Sequence, residues 1–320
     1  MTLPQETAEH LRRVLQEPGT ATERYVLQEP VGQGGMGTVY RAQDRELKRE
    51  VALKVLREDL MGAGAAARLE REARILAHLE HPGIVPVHDA GTLSDGRVYY
   101  VMKLVRGQRL EDFAGRATLT EVLRLFLKVC ETVGFAHARG VVHRDLKPSN
   151  IMVGAFGEVL VLDWGIARIL RELEPQTEPV SDVSFDNEAN TAPGTVLGTP
   201  GFMAPEQAQG LTHLVDARTD IFALGAILET LLGRGGRDRA PRPVASIWRK
   251  AQGLRPDDRY PSAEALAADV TRYLDGEPVL AHRESLGERA GRIFRKYQTA
   301  IILVLTYLVI RFLFLAARGL

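Results

Sequence analysis

The chain has 320 residues, 45% hydrophobic and 26% charged, enough for one large or two small domains with a buried core. Lys plus Arg and Asp plus Glu both number 41, so the formal net charge is zero, which excludes a nucleic-acid binder driven by a basic surface. A single cysteine, Cys130, excludes an internal disulfide framework and suits a reducing compartment. Set in an apolar helical run at 123–136, it reads as core filler rather than nucleophile. The eight histidines show no metal-ligand spacing, and His78 and His81, beside Pro82, read as surface or capping residues.

In chain order, residues 1–24 form an N-terminal extension, a short predicted helix and a Pro/Gly/Thr linker, polar and charged unlike a signal peptide. A strand is predicted from Tyr25 to Pro30. It leads into Gly32-Gln33-Gly34-Gly35-Met36-Gly37-Thr38-Val39. This glycine spacing alone also fits dinucleotide folds, but those need a long helix after the third glycine. Here a strand at 39–42, a charged turn and a second strand at 51–56 follow, so the glycines lie in a hairpin. Without side chains there, backbone N–H groups can approach phosphate oxygens. Lys54 sits in the second strand on the face of Ala52, where a lysine is costly unless paired. Glu70 and Glu72, on a predicted helix at 65–79 with Leu69, Ala73 and Leu76 as its buried stripe, are the candidate partners. Strands at 84–90 and 97–104 flank the turn Ser94-Asp95-Gly96. Helices at 110–113 and 120–140 follow.

The richest chemistry is His143-Arg144-Asp145-Leu146-Lys147-Pro148-Ser149-Asn150. Asp145 can orient a hydroxyl and accept its proton, Lys147 adds a compact positive charge, and Asn150 offers an amide oxygen suited to Mg²⁺. Pro148 blocks helix between them. Two short apolar strands at 151–153 and 159–162 have Gly154 and Gly157 between them and form a predicted hairpin. The hairpin returns Asp163, in Asp163-Trp164-Gly165, to the neighbourhood of Asn150. Mg²⁺ prefers few protein oxygens plus phosphate oxygens, so the natural substrate is a nucleoside triphosphate.

Together and in order, these motifs match the protein-kinase catalytic loop and a relative of the Asp-Phe-Gly element. Over residues 25–274 the chain resembles the eukaryotic-type Ser/Thr protein kinases found in bacteria. The resemblance implies an α+β, two-lobed fold, with a β-rich N-lobe at 25–105, a helical C-lobe at 106–275 and ATP between them. It implies that Asp145 and Lys147 are catalytic, that Asn150 and Asp163 hold Mg²⁺, with Mn²⁺ as an alternative ion, and that Glu72 rather than Glu70 pairs with Lys54. ATP would be bound by Val31, Gly32, Gly34, Gly37, Val39, Ala52, Lys54, Met102, Lys103, Val105 and Met152, with adenine on the backbone of the connector at 102–105. Trp164 departs from the usual Phe, and Leu76, Val87 and His143 are expected to hold it.

Residues 168–197 turn polar and end in Gly198-Thr199-Pro200-Gly201-Phe202-Met203-Ala204-Pro205-Glu206, which resembles the end of a kinase activation segment. Thr199, with Lys147 and Pro148, implies Ser/Thr acceptors. Arg144 stands where the family receives a loop phosphate, and Thr191 and Thr195 are the candidate phosphosites, modified by another copy of the chain. In the family Asp220 holds the catalytic-loop backbone and Glu206 pairs with a downstream arginine, here Arg259; these three are structural. Residues 233–243 are short where relatives carry an extra helix that helps contact protein substrates.

A basic linker is expected at 276–298, with Arg289, Arg292, Arg295 and Lys296, and a transmembrane helix at 299–317. The stretch, with Arg311 inside it, spans about 27 Å as a helix. This implies a single-pass protein of the cell membrane with its catalytic domain in the cytoplasm. Expected partners are Ser/Thr-bearing proteins, the membrane and a second copy of the chain, and no nucleic acid. Two alternatives are a membrane-bound pseudokinase scaffold and a small-molecule phosphotransferase. Pseudokinases commonly lose a metal ligand, the strand lysine or the base, all of which this sequence keeps.

Overall fold

A computed structural model describes residues 24–34, 37–57, 63–164, 168–169, 201–211, 214–233 and 240–317. Its first part is a sheet with one helix: β1 (Tyr25–Gln33), β2 (Gly37–Asp44), β3 (Arg49–Leu56), α1 (Ala63–His78), β4 (Val87–Thr92) and β5 (Val98–Lys103). The strands lie in the order β1-β2-β3-β5-β4, each antiparallel to its neighbour. Residues 51–56 of β3 are all buried, because the period-2 alternation of a strand feeds two separate cores. Val51, Leu53 and Val55 pack with Tyr25, Leu93 and Tyr99 on one face. On the other face Leu56 and Tyr100 join a core that includes Leu69, Ala73 and Leu76 of α1. The strand expected to begin at residue 84 begins at Val87.

The second part contains β6 (Gly107–Arg109), α2 (Leu110–Ala114), α3 (Leu119–Ala138), β7 (Val141–Val142), β8 (Ile151–Gly154), β9 (Val159–Val161) and β10 (Arg168–Ile169). Then come α4 (Pro205–Ala208), α5 (Ala217–Gly233), α6 (Arg242–Ala251), α7 (Ala263–Leu274) and α8 (Leu286–Ala317). Helix α3 starts at a capping box, in which Thr118 Oγ1 accepts from Glu121 N–H and Thr118 N–H donates to the Glu121 carboxylate. Its stripe Val122, Phe126, Val129, Val133 and Ala136 is fully buried, and Gly140, at φ +74°, turns the chain out of it. Cys130 is buried in this helix and burial pushes its thiol far above the ordinary range, so it is inert core. Helix α5 approaches α6 closely: a Cβ on Gly225 would lie 2.7 Å from that of Ala251.

The two parts are tied where the loop after α1 meets β9. Val161 N–H donates to Gly83 O at 2.8 Å, and Ile84 bridges to Val161. Part of the segment expected to be a linker is fastened to the domain. Asp269 of α7, fully buried, accepts the backbone N–H groups of Leu280 and Ala281 and the Tyr260 hydroxyl. Ser246 of α6 lies 3.1 Å from His282. Ser285 and Glu288 form another capping box, which starts α8, and Glu284 grips Arg292 bidentately. The chain therefore stays clasped to the domain up to the first turns of α8, which runs unbroken for 32 residues.

Candidate active site

β3 is the central scaffold of the site. In the sheet register Lys54 stands opposite Val39 on one side and Tyr100 on the other, and Ala52 opposite Met102, so all five share one face. Gly37 lies directly above Lys54. A Cβ there would come 2.8 Å from Val55 O and 3.2 Å from Lys54 Cγ, so only glycine leaves the lysine stem its place. Gly34 N–H donates to Gly37 O and closes the glycine turn. Val31 and Gly32 lie in β1, where Gly32 pairs with Val39 of β2, and Gly34 follows β1; Val31 is exposed.

Lys54 reaches α1. Its ammonium lies 2.7 and 2.9 Å from the Glu72 carboxylate oxygens and 3.3 Å from Asp163. Glu72, not Glu70, is thus the partner; Glu70 lies near Arg74 at the surface. Burial alone would lower the Lys54 pKa, but the Glu72 and Asp163 charges raise it above the ordinary lysine range. Sequence reasoning missed Tyr100, whose hydroxyl donates to Glu72 Oε1 at 2.9 Å from a fully buried ring. A tyrosine in a core strand needs a partner for its hydroxyl, and that was the available signal.

The catalytic loop is held from beneath. Asp220, buried on α5, accepts the backbone N–H groups of His143 and Arg144 at 2.8 Å each and contacts His137 Nε2 at 2.8 Å. Burial would raise the Asp220 pKa, but the His137 hydrogen bond and these donors hold it below the usual carboxylate range. The two N–H bonds stabilise a left-handed backbone at Arg144, φ +71°, where a non-glycine residue is strained. Within the loop Lys147 Nζ lies 2.7 Å from Asp145 Oδ2, and Asn150 Nδ2 donates to Asp145 O at 3.0 Å.

The expected hairpin forms, with Ile151 opposite Val161 and Val153 opposite Val159, and Leu162 N–H donates to Asn150 O. It carries Asp163 back beside the loop in a second left-handed conformation, φ +59°. Asp163 is held below the usual carboxylate range. Burial opposes this, but the Lys54 charge outweighs it, followed by His143. Trp164 is buried in the core that also holds Leu76 and Val87, 4.6 Å from the His143 ring, and its indole N–H donates to Val161 O. The larger ring is accommodated with its polar atom satisfied.

Met102 and Lys103 end β5, Val105 follows them and Met152 lies in β8; Lys103 is exposed and the other three are half-buried. Glu206 and Arg259 form a bidentate pair at 2.7 Å, with Thr219 donating to Glu206. Thr191 and Thr195 lie outside the described residues, as do Gly165 and Thr199. Among the described residues no group of three or more His, Cys, Asp or Glu gathers as a metal cage. Asn150 and Asp163 fit a hard ion that keeps water and phosphate ligands. The Asp163 side chain is 46% exposed, and the Asn150 amide oxygen is not the atom bonded to Asp145.

The sequence profile described as the protein kinase domain matches residues 25–235. Serine/threonine-protein kinase PknD of Chlamydia trachomatis serovar D is 36% identical over 327 residues, covering 88% of this chain and 35% of that protein. The PknD of Chlamydia abortus is 33% identical, with 88% of this chain and 34% of that protein covered. The chain thus spans about a third of the length of these curated relatives. Among solved structures, the Mycobacterium tuberculosis PknI kinase domain superposes with a TM-score of 0.57 at 25% identity, covering 80% of this chain and 98% of that one.

Proposed function

The chain belongs to the protein kinase family, and from that premise we propose that it transfers the γ-phosphoryl group of ATP to serine and threonine hydroxyls of proteins. One observation supports the reading: Lys54 on β3, Glu72 on α1, Asp163 just after β9, and Asp145, Lys147 and Asn150 in one loop lie close together, linked by Lys54–Glu72, Lys54–Asp163, Lys147–Asp145 and Leu162–Asn150 contacts. The turn carrying Gly32, Gly34 and Gly37 lets the backbone approach the triphosphate, and Lys54, steadied by Glu72, binds its α and β groups. Val31, Val39, Ala52, Met102 and Met152 enclose adenine, while the backbone of Lys103 and Val105 supplies its hydrogen bonds. Asn150 and Asp163 are the residues to hold Mg²⁺, or Mn²⁺ in its place, which neutralises charge on the phosphate oxygens. Asp145 orients the acceptor hydroxyl and takes its proton, and Lys147 offsets charge building on the transferred group. Positioning and electrostatics supply most of the acceleration.

The finer reading has two parts. The apolar stretch Tyr297–Phe314 crosses the cell membrane once, leaving the kinase domain in the cytoplasm. Arg311 stands three residues from the end of that window, where its side chain snorkels to the interface at little of the ~3 kcal/mol cost of a central charge. Thr191 or Thr195 is phosphorylated by a second copy of the chain and the phosphate is received by Arg144.

Purified chain given Mg²⁺, ATP and a generic protein acceptor is expected to form phosphoserine or phosphothreonine, and Asp145→Asn is expected to abolish this while leaving nucleotide binding intact. Nucleotide binding with no transfer by the wild type supports the pseudokinase alternative. Truncation before residue 297 is expected to release the protein from membranes with its activity retained. Phosphosite mapping that finds the loop unmodified in fully active enzyme removes the loop part of the reading.

A further inference from the structure

The Lys54–Glu72 pair joins the sheet to α1, but the lysine is an unreliable anchor for that helix. In the proposed function it must also serve the phosphates, so its one charge is shared among them, Glu72 and Asp163. Tyr100 has no such second duty. Its hydroxyl donates to Glu72 Oε1 at 2.9 Å, the same oxygen that Lys54 reaches at 2.7 Å. Its ring stands opposite Lys54 in the register of the sheet, with the ammonium 5.8 Å from the ring centroid. Both partners are buried. In such a place a carboxylate that loses a donor loses far more than it would in water.

We infer that Tyr100 is a positioning residue whose hydroxyl holds the Glu72 carboxylate, and through it Lys54 and α1, in the arrangement that nucleotide binding requires. The inference rests on the kinase reading and deepens it. A neutral phenol suits the task. Burial first, then the Glu72 charge, push its pKa well above the ordinary tyrosine value, so it stays a donor throughout the accessible pH range. The hydroxyl anchors α1 to β5, in the middle of the sheet, whether or not Lys54 is engaged by phosphate. Without it, a smaller fraction of molecules has the pair assembled, and the apparent affinity for nucleotide falls by that fraction.

A merely structural Tyr100 would serve the core with its ring, which phenylalanine supplies equally well. The test is therefore Tyr100→Phe in the full chain, purified in detergent, with Tyr99→Phe as control. Tyr99 lies on the opposite face of the same strand, edge-on to Tyr25 at 6.3 Å between ring centroids. Two quantities are measured: the Kd of Mg²⁺ with a fluorescent ATP analogue, and KM and kcat for ATP. Tyr100→Phe is expected to raise Kd and KM five- to tenfold, with kcat within about twofold and the thermal midpoint little changed. In a Glu72→Gln background the same substitution is expected to add less than twofold, because the hydroxyl acts through the carboxylate. Wild-type Kd and KM in Tyr100→Phe overturn the inference, as does an equal loss in Tyr99→Phe. If the wild type binds nucleotide but transfers no phosphate, the kinase reading fails while Kd still decides the role of Tyr100. If it binds no nucleotide, both fail.

Discussion

Two of the buried ion pairs among the described residues are built differently. Arg259 and Glu206 meet fork to fork at 2.7 Å with side chains 0% and 3% exposed. The remaining guanidinium hydrogens go to the carbonyls of Gly253, Leu254 and Arg218, and Thr219 takes up Glu206. Nothing is left for a ligand. Lys54 and Glu72 are as deeply placed, at 7% and 1%, but the third contact of the ammonium is Asp163, a half-exposed carboxylate at the cleft. A planar five-donor guanidinium suits a closed joint, and a compact ammonium on a flexible stem suits one that must open toward phosphate. Burial of charge alone therefore does not mark a functional site; the partner left facing solvent does.

Removing either cation separates the two roles. Lys54→Met is expected to cut phosphate transfer by about 10³-fold or more. Its thermal midpoint should fall by about 5 °C or less, since the Glu72 carboxylate keeps the Tyr100 hydroxyl as a donor. Turnover near wild type would break the contrast. Arg259→Met is expected to act the other way. Breaking a fully buried pair costs about 3–5 kcal/mol, which lowers the midpoint of a domain this size by about 10 °C. At a temperature where the variant stays folded, its kcat should remain within a few-fold of wild type; calorimetry and initial rates decide. The closed joint should also show in acid. Burial would raise the Glu206 pKa, but the Arg259 bond lowers it below the ordinary value. A depressed carboxylate contributes stability in full above its unfolded pKa of about 4.3 and loses it as pH falls through the folded value. Denaturation curves from pH 6 to 3 should thus be steeper for wild type than for Arg259→Met. The smallest effect is expected at Trp164→Phe, which trims a ring already satisfied in its pocket: activity within about twofold and stability within about 1.5 kcal/mol.

Much of the site was legible because its chemistry lies in unbroken runs. The catalytic loop, the glycine hairpin and the return of Asp163 all depend on local turns, and local turns have local signals. Lys54 could be recognised as needing a partner, yet the choice between Glu70 and Glu72 came from resemblance and is explained by helix phase: Glu72 shares the inward face with Leu69, Leu76 and Ala73, while Glu70 is exposed. Tyr100 was not found, because its role exists only once β5 lies beside β3 with α1 over them. Helix α6 was missed for another reason. It follows a Gly-, Arg- and Pro-rich stretch, and its buried residues Val244, Ile247, Trp248 and Ala251 fill scarcely three turns. The fastening of residues 280 and 281 was not legible, because charged residues look solvated in sequence, whereas Asp269 gathers the backbone from eleven and twelve positions away.

That gathering has a mechanical consequence. With Leu280 and Ala281 fastened to α7 and no loop between Ser285 and Ala317, the helix behaves as a mast stepped into the domain. If its apolar portion from Tyr297 onward is planted in a bilayer, the turns from Leu286 set a standoff of ~16 Å. The cleft would then ride at a fixed height and attitude above the lipid, and reach, as much as sequence, would select which serines and threonines arrive there.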